Sequence, residues 1–94
     1  MSKRFGLKAR VSSKNESAIR PVLKSLIGKG TVKEEGGEFI VESEMEGPSA
    51  KDLNRTLLSA LRRIEKRTTL RAEWTSGKTT VRYFDYVLKK TFTA

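Results

Sequence analysis

Residues 48–67 read PSAKDLNRTLLSALRRIEKR, and the fold turns on what this stretch becomes. Ala50, Leu53, Leu57, Ala60, Leu61 and Ile64 recur at steps of three and four, which places them on one face of an α-helix. Ser49 followed three residues later by Asp52 has the form of a capping box, and the helix starts cleanly after Pro48. About 18 helical residues span roughly 27 Å, enough to cross a small domain. An apolar stripe of that length needs a sheet or a second helix to cover it. Arg55, Arg62, Arg63, Lys66 and Arg67 fall outside the stripe, so the helix closes on a dense run of cations.

Upstream of this helix, residues 31–35, Gly36-Gly37 and residues 38–46 read as a hairpin with a glycine turn. In its second strand Phe39, Val41 and Met45 point one way and Glu38, Glu42, Glu44 and Glu46 the other, with Ile40 either exposed or the mark of a locally two-sided strand. Near the start of the chain Phe5, Leu7, Ala9 and Val11 alternate with Gly6, Lys8 and Arg10, the pattern of a half-buried strand. Ala18, Ile19, Val22, Leu23, Leu26 and Ile27 then form a helical stripe that Gly28 and Gly30 end. Asn15 or Ser17 can cap it, and Pro21 forces a late start or a kink, because a proline ring inside a helix removes one backbone donor.

Downstream, residues 68–75 alternate Leu70, Ala72 and Trp74 against Arg71, Glu73 and Thr75; Ser76-Gly77-Lys78 turns the chain, and residues 79–88 run back as a β-branched and aromatic strand. That strand carries Val81, Tyr83 and Val87 on one face and Phe84, Tyr86 and Leu88 on the other, more apolar surface than one covered face uses. Residues 89–94 read as a frayed tail. The order β-α-β-β-α-β-β predicts one α+β domain over residues 1–94: an antiparallel sheet with both helices on one face, of the split β-α-β, ferredoxin-like type.

The element order and the run Arg55-Thr56-Leu57-Leu58-Ser59-Ala60-Leu61-Arg62-Arg63-Ile64, with Ser49-Ala50 before it, resemble the small dimerising subunit of the KEOPS tRNA-modifying complex over residues 4–66. The resemblance implies a β-α-β-β-α module that pairs with itself, binds the catalytic subunit of that complex and helps to hold tRNA. Ser59, Leu61, Arg62 and Ile64 would occupy the family's second-helix positions. The hairpin of residues 70–88, with Trp74, departs from the family pattern.

Composition narrows the chemistry. The 94 residues include no Cys and no His, which removes thiol nucleophiles, disulfides, imidazole proton shuttles and the usual zinc ligands. Ser76-Gly77-Lys78-Thr79 has the ending of a phosphate-binding loop without its first glycine. No catalytic residue, metal ligand, cofactor or small-molecule substrate is expected, and a carboxylate hydrolase would need a pair of acids in a pocket. No apolar run reaches membrane-spanning length and no signal-peptide core follows the basic start, so a cytoplasmic protein away from membranes is expected.

The net charge of +9 is segregated: residues 1–30 carry +7, residues 31–50 carry −5 and residues 51–94 carry +7. Such a chain fits a polyanionic partner. The expected function is a non-enzymatic nucleic-acid-binding module, RNA ahead of DNA, whose phosphate contacts come from Arg55, Arg62, Arg63, Lys66, Arg67, Arg71, Lys78 and Arg82. The plainer account of the same cations is a solvated face, with Lys and Arg at a helix C-terminus favoured by the helix dipole. Glu42 and Glu44 are expected to pair with Lys8 and Arg10 across strands; otherwise, with Glu34, Glu35 and Glu46, they form an acidic patch that docks a basic partner or a second copy. Trp74, Tyr83, Phe84 and Tyr86 are candidate stacking platforms, with the core as the expected place for Trp74. The alternative function is an assembly subunit, a homodimer or part of a larger complex, joined through Phe84, Tyr86 and Leu88.

Overall fold

A computed structural model of the protein describes residues 3–28 and 30–93. Its elements are β1 (Lys3–Ser12), α1 (Glu16–Ile27), β2 (Thr31–Glu35), β3 (Glu38–Gly47), α2 (Ala50–Ile64), β4 (Thr69–Ser76), β5 (Thr79–Phe84) and β6 (Val87–Thr93). The strands make one antiparallel sheet in the order β2-β3-β1-β4-β5-β6. The described residues thus form an α+β fold with six strands and two helices.

Strand parity builds the core. Val11 stands opposite Phe39 and Leu70, Ala9 opposite Val41 and Ala72, and Leu7 opposite Trp74, so the odd residues of β1 share a face with buried residues of both neighbours. Ile19, Leu23 and Ile27 of α1 and Leu53, Leu57, Leu58 and Leu61 of α2 close over that face as one apolar cluster. The other face of the sheet carries the even residues of β1 and β3.

Both helix starts are set by side chains. Ser49 Oγ accepts from the Asp52 N–H at 3.1 Å, the expected capping contact. Asn15 caps α1 by accepting from the Ala18 N–H at 3.3 Å. The helix therefore begins at Glu16, and Pro21 falls at its sixth residue, where it withholds one i→i−4 donor. Gly30 and the end of α1 lie hard against β3: a Cβ on Gly30 would strike the Glu42 carbonyl oxygen and Ser43, and Ser43 Oγ donates to the Ile27 carbonyl at 3.0 Å.

Three expectations are corrected. The strand read over residues 79–88 ends at Phe84, and the supposed tail is a sixth strand, with Ala94 outside the described residues. The break is made by Asp85, held at a φ of 55°, a left-handed conformation that Asp tolerates better than most residues. Its carboxylate accepts the Leu70 N–H at 2.9 Å while its own N–H donates to the Leu70 carbonyl at 2.7 Å. Secondly, Arg10 stands opposite Ile40 and pairs with Glu38 at 3.7 Å, and Glu44 lies opposite Gly6, within 3.8 Å of Arg4. The antiparallel register leaves only Lys8 facing its expected partner, Glu42. Finally, Ile64 is 49% exposed, while Asn54 and Leu58, outside the predicted stripe, are buried, because the β5–β6 turn closes on that side of α2.

Candidate nucleic-acid interface

The predicted cations do not form one cluster. Arg62, half-buried where Arg63 beside it is exposed, is committed to the fold: its Nε donates to the Thr68 carbonyl at 3.0 Å, and its guanidinium lies 3.4 Å from the Asp85 carboxylate and 5.2 Å over the Tyr86 ring. Arg55 pairs with Asp52 one helical turn away at 3.5 Å. Arg63, Lys66 and Arg67 are exposed at the end of α2 and make no ion pair among the described residues. Lys78 sits in the β4–β5 turn, beyond Ser76, which is about 17 Å along β4 from Arg71 at 3.4 Å per residue. Arg71 and Arg82 belong to the exposed face of the sheet.

Register fixes what surrounds those two. One row across the exposed face runs Ile40, Arg10, Arg71, Phe84, Val87; the next runs Glu42, Lys8, Glu73, Arg82, Lys90; a third runs Glu44, Gly6, Thr75, Thr80, Phe92. Arg10 and Arg71 thus stand directly opposite each other, an arrangement that costs stability unless anions offset it. Arg82 holds Glu73 at 2.6 Å. A shallow hollow of about 430 Å³ lies among Lys8, Arg10, Ile40, Glu42, Arg71 and Arg82. Acids line the other edge: a larger hollow of about 640 Å³ is bounded by Glu42, Glu44 and Glu46 with Arg4, the wrong sign for phosphate.

The aromatic residues separate in the same way. Trp74 is fully buried, and its indole N–H donates to Asn54 Oδ1 at 3.1 Å; Tyr83 is buried too, and that burial pushes its phenol pKa up. Neither can stack on a base. Phe84 and Phe92, each 37% exposed, lie on the cationic side of the exposed face, with Arg71 5.0 Å over Phe84 and Arg82 5.3 Å over Phe92. Phe84, Tyr86 and Leu88 do not form the single surface expected of them. Leu88 stands opposite the buried Tyr83, and the Tyr86 hydroxyl meets Ser59 Oγ of α2 at 3.0 Å.

Sequence reasoning missed Lys8, Arg10, Lys90 and Phe92 as neighbours of Arg71 and Arg82. Lys90 and Phe92 lay in the presumed tail, and the alternation of β1 placed Lys8 and Arg10 on a face without giving the strand order that sets them beside β4. Asn54, whose amide nitrogen donates to the Asp85 carbonyl, and Arg62, paired with the Asp85 carboxylate, latch α2 to the β5–β6 turn, and this latch carried no local signal because Asp85 lies far along the chain from both. No helix is long and apolar enough to cross a membrane among the described residues. Comparison with protein-family models, curated proteins and solved structures finds no match for the chain.

Proposed function

We propose that this chain is a non-enzymatic nucleic-acid-binding module, with RNA preferred to DNA, that holds phosphates on the end of α2 and on the cationic half of the exposed sheet face. In this reading β2-β3-β1-β4 with α1 and α2 is a split β-α-β, ferredoxin-like core, and β5 and β6 widen its face. The observation that carries the proposal is Arg71: it is exposed, stands across from Arg10, and has no carboxylate partner among the described residues. Two guanidiniums opposed on a solvent face gain most when a phosphate lies between them. Arg63, Lys66 and Arg67 extend the footprint round the end of the sheet, while Arg62 supports it without joining it. The acids of β3 bound it on the far side.

The test is a fluorescence-anisotropy titration of labelled RNA at three salt concentrations. With about six phosphates engaged, log affinity falls against log salt with a slope of about −4 to −5. A flat salt response removes the proposal.

A second reading, an assembly subunit, is favoured by the β6 edge, where Val87 and Leu88 are 56% and 50% exposed on a strand with one unpaired side. Sedimentation over a wide concentration range checks it. A strict monomer throughout, purified without another protein, counts against a homodimer or a stable complex.

A further inference from the structure

The exposed face offers more than charge, and we infer that its β4-β5-β6 side takes single-stranded nucleic acid, with bases stacked on Phe84 and Phe92 and a phosphate over Arg82 between them. The inference rests on the nucleic-acid reading above and adds the strand form and the two stacking residues.

Three features of the face carry it. Phe84 and Phe92 lie on one side of the sheet, and each keeps more than a third of its surface open. Each ring is attended by cations: the Arg71 guanidinium lies 5.0 Å from Phe84, and Arg82 and Lys90 lie 5.3 Å and 4.8 Å from Phe92. Bases stack on aromatic rings and on guanidinium planes alike, and both are present at each position. Arg82 occupies the row between the rings, where its charge is shared with Glu73 and reinforced by Lys90 directly opposite.

Spacing then selects the strand form. Phe92 aligns with Thr80, four residues along β5 from Phe84 and one strand across, which sets the two backbone positions about 14 Å apart. Bases stacked in one strand of a duplex are about 3.4 Å apart, so the two rings engage bases that are not neighbours in a stack. A strand with splayed bases meets that spacing and lays its backbone over Arg82. A duplex keeps its base faces inside the stack, except at its two ends, and meets this face mainly through its backbone and groove edges. The acids Glu42 and Glu44 confine the backbone to the β1–β6 side.

The experiment compares a short fluorescein-labelled oligouridine with a blunt duplex of equal length, for the unaltered chain and for Phe84→Ala and Phe92→Ala. Phe84→Leu and Phe92→Leu are run beside them, because they keep apolar bulk and lose the ring, and fluorescence of the buried Trp74 reports that each variant is folded. The expected result is tighter binding of the oligouridine than of the duplex. Loss of either ring should weaken oligouridine binding about ten-fold or more, leaving the salt slope and the duplex affinity in place. If the folded ring variants bind oligouridine as the unaltered chain does, or if duplex and single strand bind alike, the inference fails while a steep salt slope keeps the broader proposal. If neither nucleic acid binds, both fail together.

Discussion

Asn54 occupies a position on α2 where burial would ordinarily call for a hydrocarbon side chain, and it is buried because it bridges two elements. Its amide nitrogen donates to the Asp85 carbonyl at 2.7 Å and its amide oxygen accepts from the Trp74 indole at 3.1 Å. Among the described residues no buried side-chain nitrogen or oxygen lacks a hydrogen-bond partner, so removing this amide creates the first, the Trp74 indole nitrogen, and takes a donor from the Asp85 backbone carbonyl as well. Asn54→Leu matches the volume but strands the indole N–H and the carbonyl, and it should lower unfolding free energy by about 2–4 kcal/mol in a urea titration. Asn54→Gln, whose longer amide cannot meet both partners at once, should fall between. On the surface, the hydrogen bonds and charge of the Arg20 guanidinium, 2.6 Å away, hold the Glu34 carboxyl below its ordinary value of 4.5. A depressed carboxylate stabilises the fold above that ordinary value and loses its contribution as pH falls through the lowered one. Urea midpoints measured from neutral pH downward should therefore drop more for the unaltered chain than for Glu34→Gln below about pH 4.5.

At the scale of elements, the tightest junction is where α1 hands over to β2. Gly30 has no room for a side chain, since the Glu42 carbonyl oxygen and the Ser43 side chain of β3 already fill the space a Cβ would take. Gly30→Ala should cost about 1–3 kcal/mol, by the cost of forcing atoms into filled space, whereas Gly36→Ala, with open space around it, meets only the penalty of its left-handed φ of 56°. Matched thermal melts of the two variants separate steric crowding from backbone strain. The elements most readable in the sequence were those with local signals: the Ser49–Asp52 cap, the odd-residue alternation of β1 and the glycine turns at Gly36-Gly37 and Gly77. The β5–β6 turn was not readable. Phe84-Asp85-Tyr86-Val87 contains no glycine, proline or asparagine, and the left-handed residue is an aspartate held there by Leu70, fifteen positions earlier in the chain. An uninterrupted apolar run then imitated one two-faced strand, and β6 was lost with it.

Across the whole molecule, the open question in the sequence was which cations serve the fold and which face outward. Composition could not separate Arg62 from Arg63, adjacent residues of one type, because the partner that distinguishes them, Asp85, reaches α2 only after the sheet is assembled. The structure divides them: Arg62 ties α2 to Thr68 and Asp85, while Arg63, Lys66 and Arg67 stand free of ion pairs among the described residues. Two variants make that division measurable. Replacing Arg63, Lys66 and Arg67 together by Ala leaves stability within about 0.5 kcal/mol, because exposed side chains without partners contribute little. If all three contact phosphates, the slope of log affinity against log salt becomes shallower by about 2–3. Arg62→Gln should behave the other way. It frees the Asp85 carboxylate and the Thr68 carbonyl and costs about 2 kcal/mol of folding free energy, yet leaves the salt slope nearly unchanged in folded protein. The reverse outcome, a stable Arg62→Gln chain with a shallower slope and an unaffected triple variant, would move the phosphate contact inward to the latch. In that case Asp85 would be the residue that phosphate displaces, and Asp85→Asn, which keeps an acceptor for Leu70 but gives up the charge, should bind nucleic acid more tightly than the unaltered chain.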